Sequence, residues 1–253
     1  KVQPVPLRPG NIGNPQTLSA IGLSESEFGA DWLDPVKLAE VIIVREEKLQ
    51  FSGKIISVQP RIRLIRSFDE RSHNYLGYVL YINGIIGDKE SGFSVGIGKS
   101  TQEKFGFTAG DCIEGFCLPV ANPKQEPVEY YKATKLKKTE RNSNELKDEP
   151  PWEITPPSLE EYRRRGHRRL SARTYEVNCR TCIWGCKMPV EIIIDNWNPS
   201  KRQYRFETFC YGPKSCNYYK AGPTRKVPGR KGMSYEELDW VDEQETEHRD
   251  PDE

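Results

Sequence analysis

Cys179-Arg180-Thr181-Cys182-Ile183-Trp184-Gly185-Cys186, and after a gap Cys210-Tyr211-Gly212-Pro213-Lys214-Ser215-Cys216, put five of the seven cysteines within 38 residues. Between the two groups, Met188 to Ile194 and Gln203 to Phe209 read as strands joined by the turn-like Asn198-Pro199-Ser200. A hairpin there carries the second cysteine pair back to the first. Two thiolate pairs brought together in this way make a tetrahedral cage for Zn²⁺. Cys179, Cys182, Cys210 and Cys216 are the candidate ligands, and Cys186 either replaces one of them or is a buried thiol. The spacing of the first pair is that of a zinc knuckle, and that of the second is wider. Disulfides are the alternative, but a chain of this length does not need staples and shows no apolar leader. A redox Cys-x-x-Cys fits less well, since no βαβ pattern surrounds it. Four protein ligands leave no open position for a substrate, so the expected zinc is structural.

Upstream, Ser158 to Leu170 reads as a helix with Ser158 as its cap, Glu161 completing a capping box and Gly166 interrupting it. This helix carries the densest charge cluster: Arg163, Arg164, Arg165, Arg168 and Arg169, with Arg173 beyond. Arginine-rich helices dock on phosphate backbones through charge and forked hydrogen bonds. The alternative is a helix paired with an acidic segment. Downstream, Lys201 to Lys231 holds nine basic residues against Glu207 alone, interleaved with aromatics. Arg202, Arg205 and Lys214 are the candidate contacts there, on a surface suited to nucleic acid; some of those aromatics must instead pack a small domain.

Further toward the N-terminus the pattern is β-rich. Leu49 to Arg66 is a long strand, with Gly53 as a bend and Pro60 expected to limit the ladder. Leu76 to Ile86, Gly92 to Ile97, Cys112 to Val120 and Glu129 to Lys137 follow, with a helical turn at Thr101 to Phe105. Five strands with a short helix between the third and fourth, over about residues 48 to 138, resemble the OB-fold barrel as a class. Phe107 to Gly115 also looks like the turn into a barrel strand in such domains. Another small barrel or a sandwich is the alternative. With the cysteine unit after it, the chain resembles an OB-like barrel followed by a four-cysteine zinc-ribbon-like unit, a likeness of fold alone. The expected class is mainly β with short helices. The resemblance implies a groove on the first barrel strands where basic and aromatic side chains hold single-stranded nucleic acid. Arg61, Arg63 and Arg66, with Tyr75 and Tyr78, are the candidates for it; a solvated sheet face with tyrosines in a core is the alternative reading.

The segments are an arm with short helices (1–47), the barrel (48–138), a charged linker with the arginine-rich helix (139–172), the zinc unit (173–232) and an acidic tail (233–253). In the arm, helices are expected to start near Ser24 and at Asp34-Pro35. The net charge of +1 hides an asymmetry. From Glu236 to Glu253 ten carboxylates stand against Arg249, so the tail carries −9 and the rest +10. Such a tail is usually solvated. Leu238, Trp240 and Val241 give it an apolar anchor that docks on a partner, unless the tail folds back over the basic body and screens it.

Several features carry less. Gly96 to Thr101 looks like a phosphate loop, but Phe93 stands where the motif needs glycine. The three histidines are scattered and read as surface residues, and Cys112 and Cys117 read as core thiols. No nucleophile with a base, open metal site or cofactor loop is legible. No apolar run reaches the roughly 18 residues that span a bilayer. Reduced cysteines around a metal suit a reducing, intracellular or cytoplasmic compartment, although a chain that begins at Lys1 leaves a lost leader open. The expectation is a non-enzymatic protein that binds RNA or DNA, or else an accessory subunit docking on a larger protein complex.

Overall fold

Strand β1 (Leu49–Arg66) is 18 residues long and reaches across two groups of strands. At roughly 3.3 Å per residue it spans about 60 Å. In the computed structural model, residues 48–250 apart from 69, 141–146, 148 and 199 are described. The expected arm and the helices near Ser24 and Asp34-Pro35 lie outside these residues.

The elements that follow β1 are β2 (Arg71–Ile86), β3 (Lys89–Ile97), α1 (Lys99–Phe105), β4 (Cys112–Pro119) and β5 (Tyr130–Glu140). β1 pairs antiparallel with β2 from Phe51↔Ile86 to Arg66↔Arg71, and with β4 from Leu49↔Cys117 to Lys54↔Cys112. β2 pairs with β3 and β4 with β5, while β3 meets β5 in parallel at Val95↔Tyr130. The result is a partly closed ring of five strands in the order β1-β2-β3-β5-β4. Its interior is filled by alternate residues of the strands, among them Phe51, Ile55, Leu80, Ile82, Val95 and Ile113. The ladder runs through Pro60, opposite Tyr78, and shifts register between Arg61 and Ile62. So Pro60 does not limit the ladder as expected; the break comes at a bulge beside Gly77, whose φ of 135° no other residue adopts easily.

The chain then forms α2 (Leu159–Arg165), β6 (Arg168–Arg169), a helical turn α3 (Ala172–Thr174) that continues as a wider turn through Cys179, β7 (Gly185–Ile193) and β8 (Arg202–Cys210). β7 adds in parallel to the far end of β1 (Leu64↔Val190 to Arg66↔Ile192), β8 pairs with β7, and β6 with β8. Ring and hairpin therefore share one eight-stranded sheet. They also share a core, since Met188, Val190, Ile192 and Phe209 pack with Ile62 and Leu64. The Ser158 hydroxyl accepts from the Glu161 amide at 3.2 Å, capping α2, and Gly166 ends it at φ 66°.

The chain closes with β9 (Arg225–Pro228), β10 (Ser234–Glu237), which pair with each other, and α4 (Asp239–Thr246). Over its described residues the tail is folded, with Glu237, Val241, Thr246 and Arg249 buried while most of its other side chains stay exposed. Among the described residues the fold is mainly β with short helices, and no helix is long and apolar enough to cross a membrane.

Candidate metal centre and basic surfaces

The β7–β8 ladder starts at Gly185↔Cys210, so the hairpin brings Cys210 back beside the turn carrying Cys179 and Cys182. That turn is tight: the Cys182 amide donates to the Cys179 carbonyl at 3.2 Å and the Gly185 amide to the Cys182 carbonyl at 3.1 Å. A Cβ on Gly185 would fall 2.3 Å from the Cys179 carbonyl oxygen, which only glycine avoids. Two backbone amides point at sulfur, Trp184 N–H at Cys182 Sγ and Gly212 N–H at Cys210 Sγ, both at 3.4 Å. Amides aimed at sulfur stabilise thiolates and orient metal ligands.

Cys179, Cys182, Cys210 and Cys216 line one small cavity of about 10 Å³, walled by Trp152, Trp184 and Tyr218. That is room for about one water-sized particle. All seven cysteines are free thiols. Among the described residues no group of three or more His, Cys, Asp or Glu side chains forms a ready-made metal cluster; the four thiols share a cavity without being drawn to a common point. Burial, with the neighbouring thiols adding to it, pushes Cys179 and Cys182 up to about 12. Burial raises Cys210 as well, against the pull of Arg168. Thiols so placed are protonated near neutrality unless a cation joins them, the reverse of a reactive redox thiolate. Cys186 is fully buried in the main core, its Sγ donating to the Pro60 carbonyl at 3.5 Å, and does not line the cavity.

β1 fixes this turn from beneath. Gln59 is buried, and its Nε2 donates to the carbonyls of Cys179 (2.7 Å) and Cys182 (2.8 Å) while its Oε1 accepts from Tyr175 Oη (2.8 Å). Ser57 Oγ donates to the Arg180 carbonyl at 2.7 Å. Sequence reading missed both residues. Their only local signal is a polar pair, two apart, inside the otherwise apolar run from Ile55 to Pro60.

The arginines singled out for nucleic acid are largely engaged within the chain. Arg61 and Arg63 both bind Glu126, at 2.6 and 2.8 Å. Arg66 is buried against Glu237 at 3.1 Å, with Glu207 at 3.8 Å. Arg169, 1% exposed, donates through Nε to Asp242 at 2.9 Å, through Nη1 to the Glu237 carbonyl at 2.9 Å, and also pairs with Asp239. Arg164 pairs with Glu161, Arg202 with Glu191, and Arg205 with Glu207. Arg165 is buried over Trp184 and Arg168 stacks on Tyr219 at 3.8 Å. Lys214 donates to the Arg249 carbonyl. Arg163 is exposed and lies 4.8 Å over the Tyr75 ring, while Tyr78 is buried with its hydroxyl on the Pro157 carbonyl. In the tail, Leu238 and Trp240 are exposed, whereas Val241 faces inward.

Two histidines depart from the surface reading. His167 is buried, and the His73 ring lies 4.8 Å from it, because β2 and the start of β6 pack over Phe209. Burial, then Arg71 and Arg66, lowers the His73 pKa to about 4; burial lowers His167 too. His248 is exposed, as expected, and meets the Arg164 carbonyl. Of the two remaining cysteines Cys117 is buried, but Cys112 turns toward Glu140 on the outer face, since residues five apart on a strand face opposite sides. Lys99, in the stretch resembling a phosphate loop, pairs with Glu160.

No protein-family model, curated protein or solved structure matches this chain.

Proposed function

We propose that the chain is a non-enzymatic nucleic-acid-binding protein for single-stranded or structured RNA or DNA. In this reading its ring of strands is an OB-like barrel and its hairpin a zinc-ribbon-like unit. The observation that carries the reading is the set of cations laid over aromatic rings around the ring and hairpin: Arg163 over Tyr75, Arg180 over Tyr81, Lys187 over Phe206 and Lys135 over Phe116. Rings with cations beside them suit bases and phosphates together. Zn²⁺ held by Cys179, Cys182, Cys210 and Cys216 would staple the hairpin to β1, supported by the shared cavity and the two amides aimed at sulfur. A thiolate cage of this kind suits a reducing compartment.

The test is metal content of the purified chain by mass spectrometry, followed by polarisation titrations with labelled single-stranded RNA and DNA. One zinc per chain and binding weakened by Arg163→Ala are expected. Failure to bind either strand, in the zinc-loaded chain, would sink the nucleic-acid reading.

A second reading, an accessory subunit docking on a protein complex, is favoured by one observation. Phe68 and Trp240 are exposed and line one shallow pocket beside Tyr235, and Met233 and Leu238, on the same tail segment as Trp240, are exposed as well. Large exposed apolar side chains grouped in this way mark interaction surfaces.

A further inference from the structure

The outer face of β1, β4 and β5 carries five lysines. Strand alternation turns Phe51, Ile113 and Cys117 into the ring, and Gln50, Ser52, Lys54, Glu114 and Phe116 outward. β4 and β5 pair through Phe116↔Thr134 and Glu114↔Lys137. Lys48 donates to Thr134 Oγ1 at 3.1 Å, which places it on the same face. Lys137 pairs with Glu114 at 2.9 Å. Lys48, Lys54, Lys132 and Lys135 meet no carboxylate among the described residues.

Two further observations mark this face. Lys132 and Lys135 both have φ of 52°, a left-handed backbone that is costly for a residue with a long side chain and is retained where surroundings or function require it. Their ammonium groups lie 4.8 Å from the Tyr131 ring centre and 5.3 Å from that of Phe116. Lysines and bulges also blunt an open sheet edge, and β5 pairs with β3 at one position, Val95↔Tyr130. But Lys54 stands on β1, which is paired on both sides and has no edge to protect.

We infer that this face binds single-stranded nucleic acid, with Lys48, Lys54, Lys132 and Lys135 on phosphates and Phe116 and Tyr131 beneath bases. Charge complementarity selects the occupant: ammonium groups without a carboxylate ask for a polyanion, and the rings among them ask for one that carries flat bases. The inference rests on the nucleic-acid reading above and names its surface.

The test is polarisation of labelled oligo(dT) and oligo(U) against the full chain over a series of salt concentrations. Lys132→Asn/Lys135→Asn removes two charges with a residue that tolerates the left-handed backbone. Its affinity should fall about tenfold or more, and the slope of log K on log salt should flatten by about 1.4, at about 0.7 per lost single-strand contact. Phe116→Leu should weaken binding at every salt with the slope unchanged. A melting temperature equal to wild type confirms that each variant is folded. If the double variant binds like wild type while Arg163→Ala binds more weakly, this face is wrong and the nucleic-acid reading stands. If wild type binds neither oligomer, both fall. If polyglutamate displaces the oligomer as well as unlabelled oligomer does, and Phe116→Leu is silent, the face docks an acidic polypeptide and the inference is overturned.

Discussion

The two ends of β1 use cations in opposite ways. At the start, Lys48 and Lys54 stand on an open face and pair with no carboxylate among the described residues. At the far end, Arg61, Arg63 and Arg66 are each tied to a glutamate, and Arg66 is buried. The difference follows from what packs there. The first end is covered on its inner side only, whereas the far end receives β7 and then the acidic tail. Glu237 meets both Arg66 and Arg71, Glu245 meets Arg71, and Asp239 and Asp242 meet Arg169. A count of basic residues thus misleads about binding surfaces. Guanidinium groups with their forked donors suit buried pairing, and ammonium groups, more strongly hydrated, stay outside.

The largest expected effect lies at the thiols. Cys210→Ser should abolish stoichiometric zinc and, as chelation should in wild type, loosen the hairpin at the far end of β1. Structural zinc supplies on the order of 10 kcal/mol, comparable with a whole domain's stability. A chelated chain with unchanged denaturation midpoint would show that the cavity holds no structural metal.

Next is Asp242→Ala, which leaves Arg169 buried with one partner fewer. Removing one partner of a buried pair costs about 3–5 kcal/mol, and because Arg169 keeps the exposed Asp239 and the Glu237 carbonyl this case falls toward the lower end. Urea denaturation should resolve it, whereas Lys135→Asn should stay within about 0.5 kcal/mol of wild type. Equal losses for the two would erase the contrast between the ends of β1.

A pH effect sharpens the same comparison. His73 is largely buried beside Arg71 and Arg66, and burial first, then those two charges, lowers its pKa to about 4. The unfolded chain takes up this proton near pH 6.5, the folded chain only near 4. Its contribution to stability is therefore complete above pH 6.5 and is lost as pH falls toward 4. His73→Gln should flatten the dependence of the denaturation midpoint across that window; an unaltered profile would remove His73 as its source.

The smallest effect is expected of Glu126→Gln, which releases Arg61 and Arg63 from a partly exposed pair. It should cost about 1 kcal/mol or less and raise affinity for labelled oligo(dT) slightly. No gain in affinity would mean that these two guanidinium groups serve the fold alone.

Much of the architecture was legible in short stretches. The run Leu49–Arg66 reads as one strand and is one, and the cap at Ser158 falls where its residue type indicates, but the helix expected to reach Leu170 ends before Gly166 and Arg168–Arg169 pair as a strand. The convergence of the cysteine pairs followed from the hairpin between them. Less was legible where partners are far apart in the chain. Arg169 meets Asp242 across 73 residues, and Arg66 meets Glu237 across 171. Neither the meeting of His73 with His167 nor the anchoring of the cysteine turn by Gln59 leaves a periodic trace.

The sequence by itself determined the strands of the ring and the hairpin, the helix cap, the return of the second cysteine pair to the first and the imbalance between a basic body and an acidic tail. Each is set by backbone preferences and side-chain alternation over a few residues, or by composition. Only the tertiary structure decided that β1 serves both the ring and the hairpin, and that the tail takes up Arg66, Arg71 and Arg169 while Lys48 and Lys54 stay exposed. Those outcomes depend on which charges are desolvated together, and desolvation is a property of packed surfaces that no local stretch of chain contains.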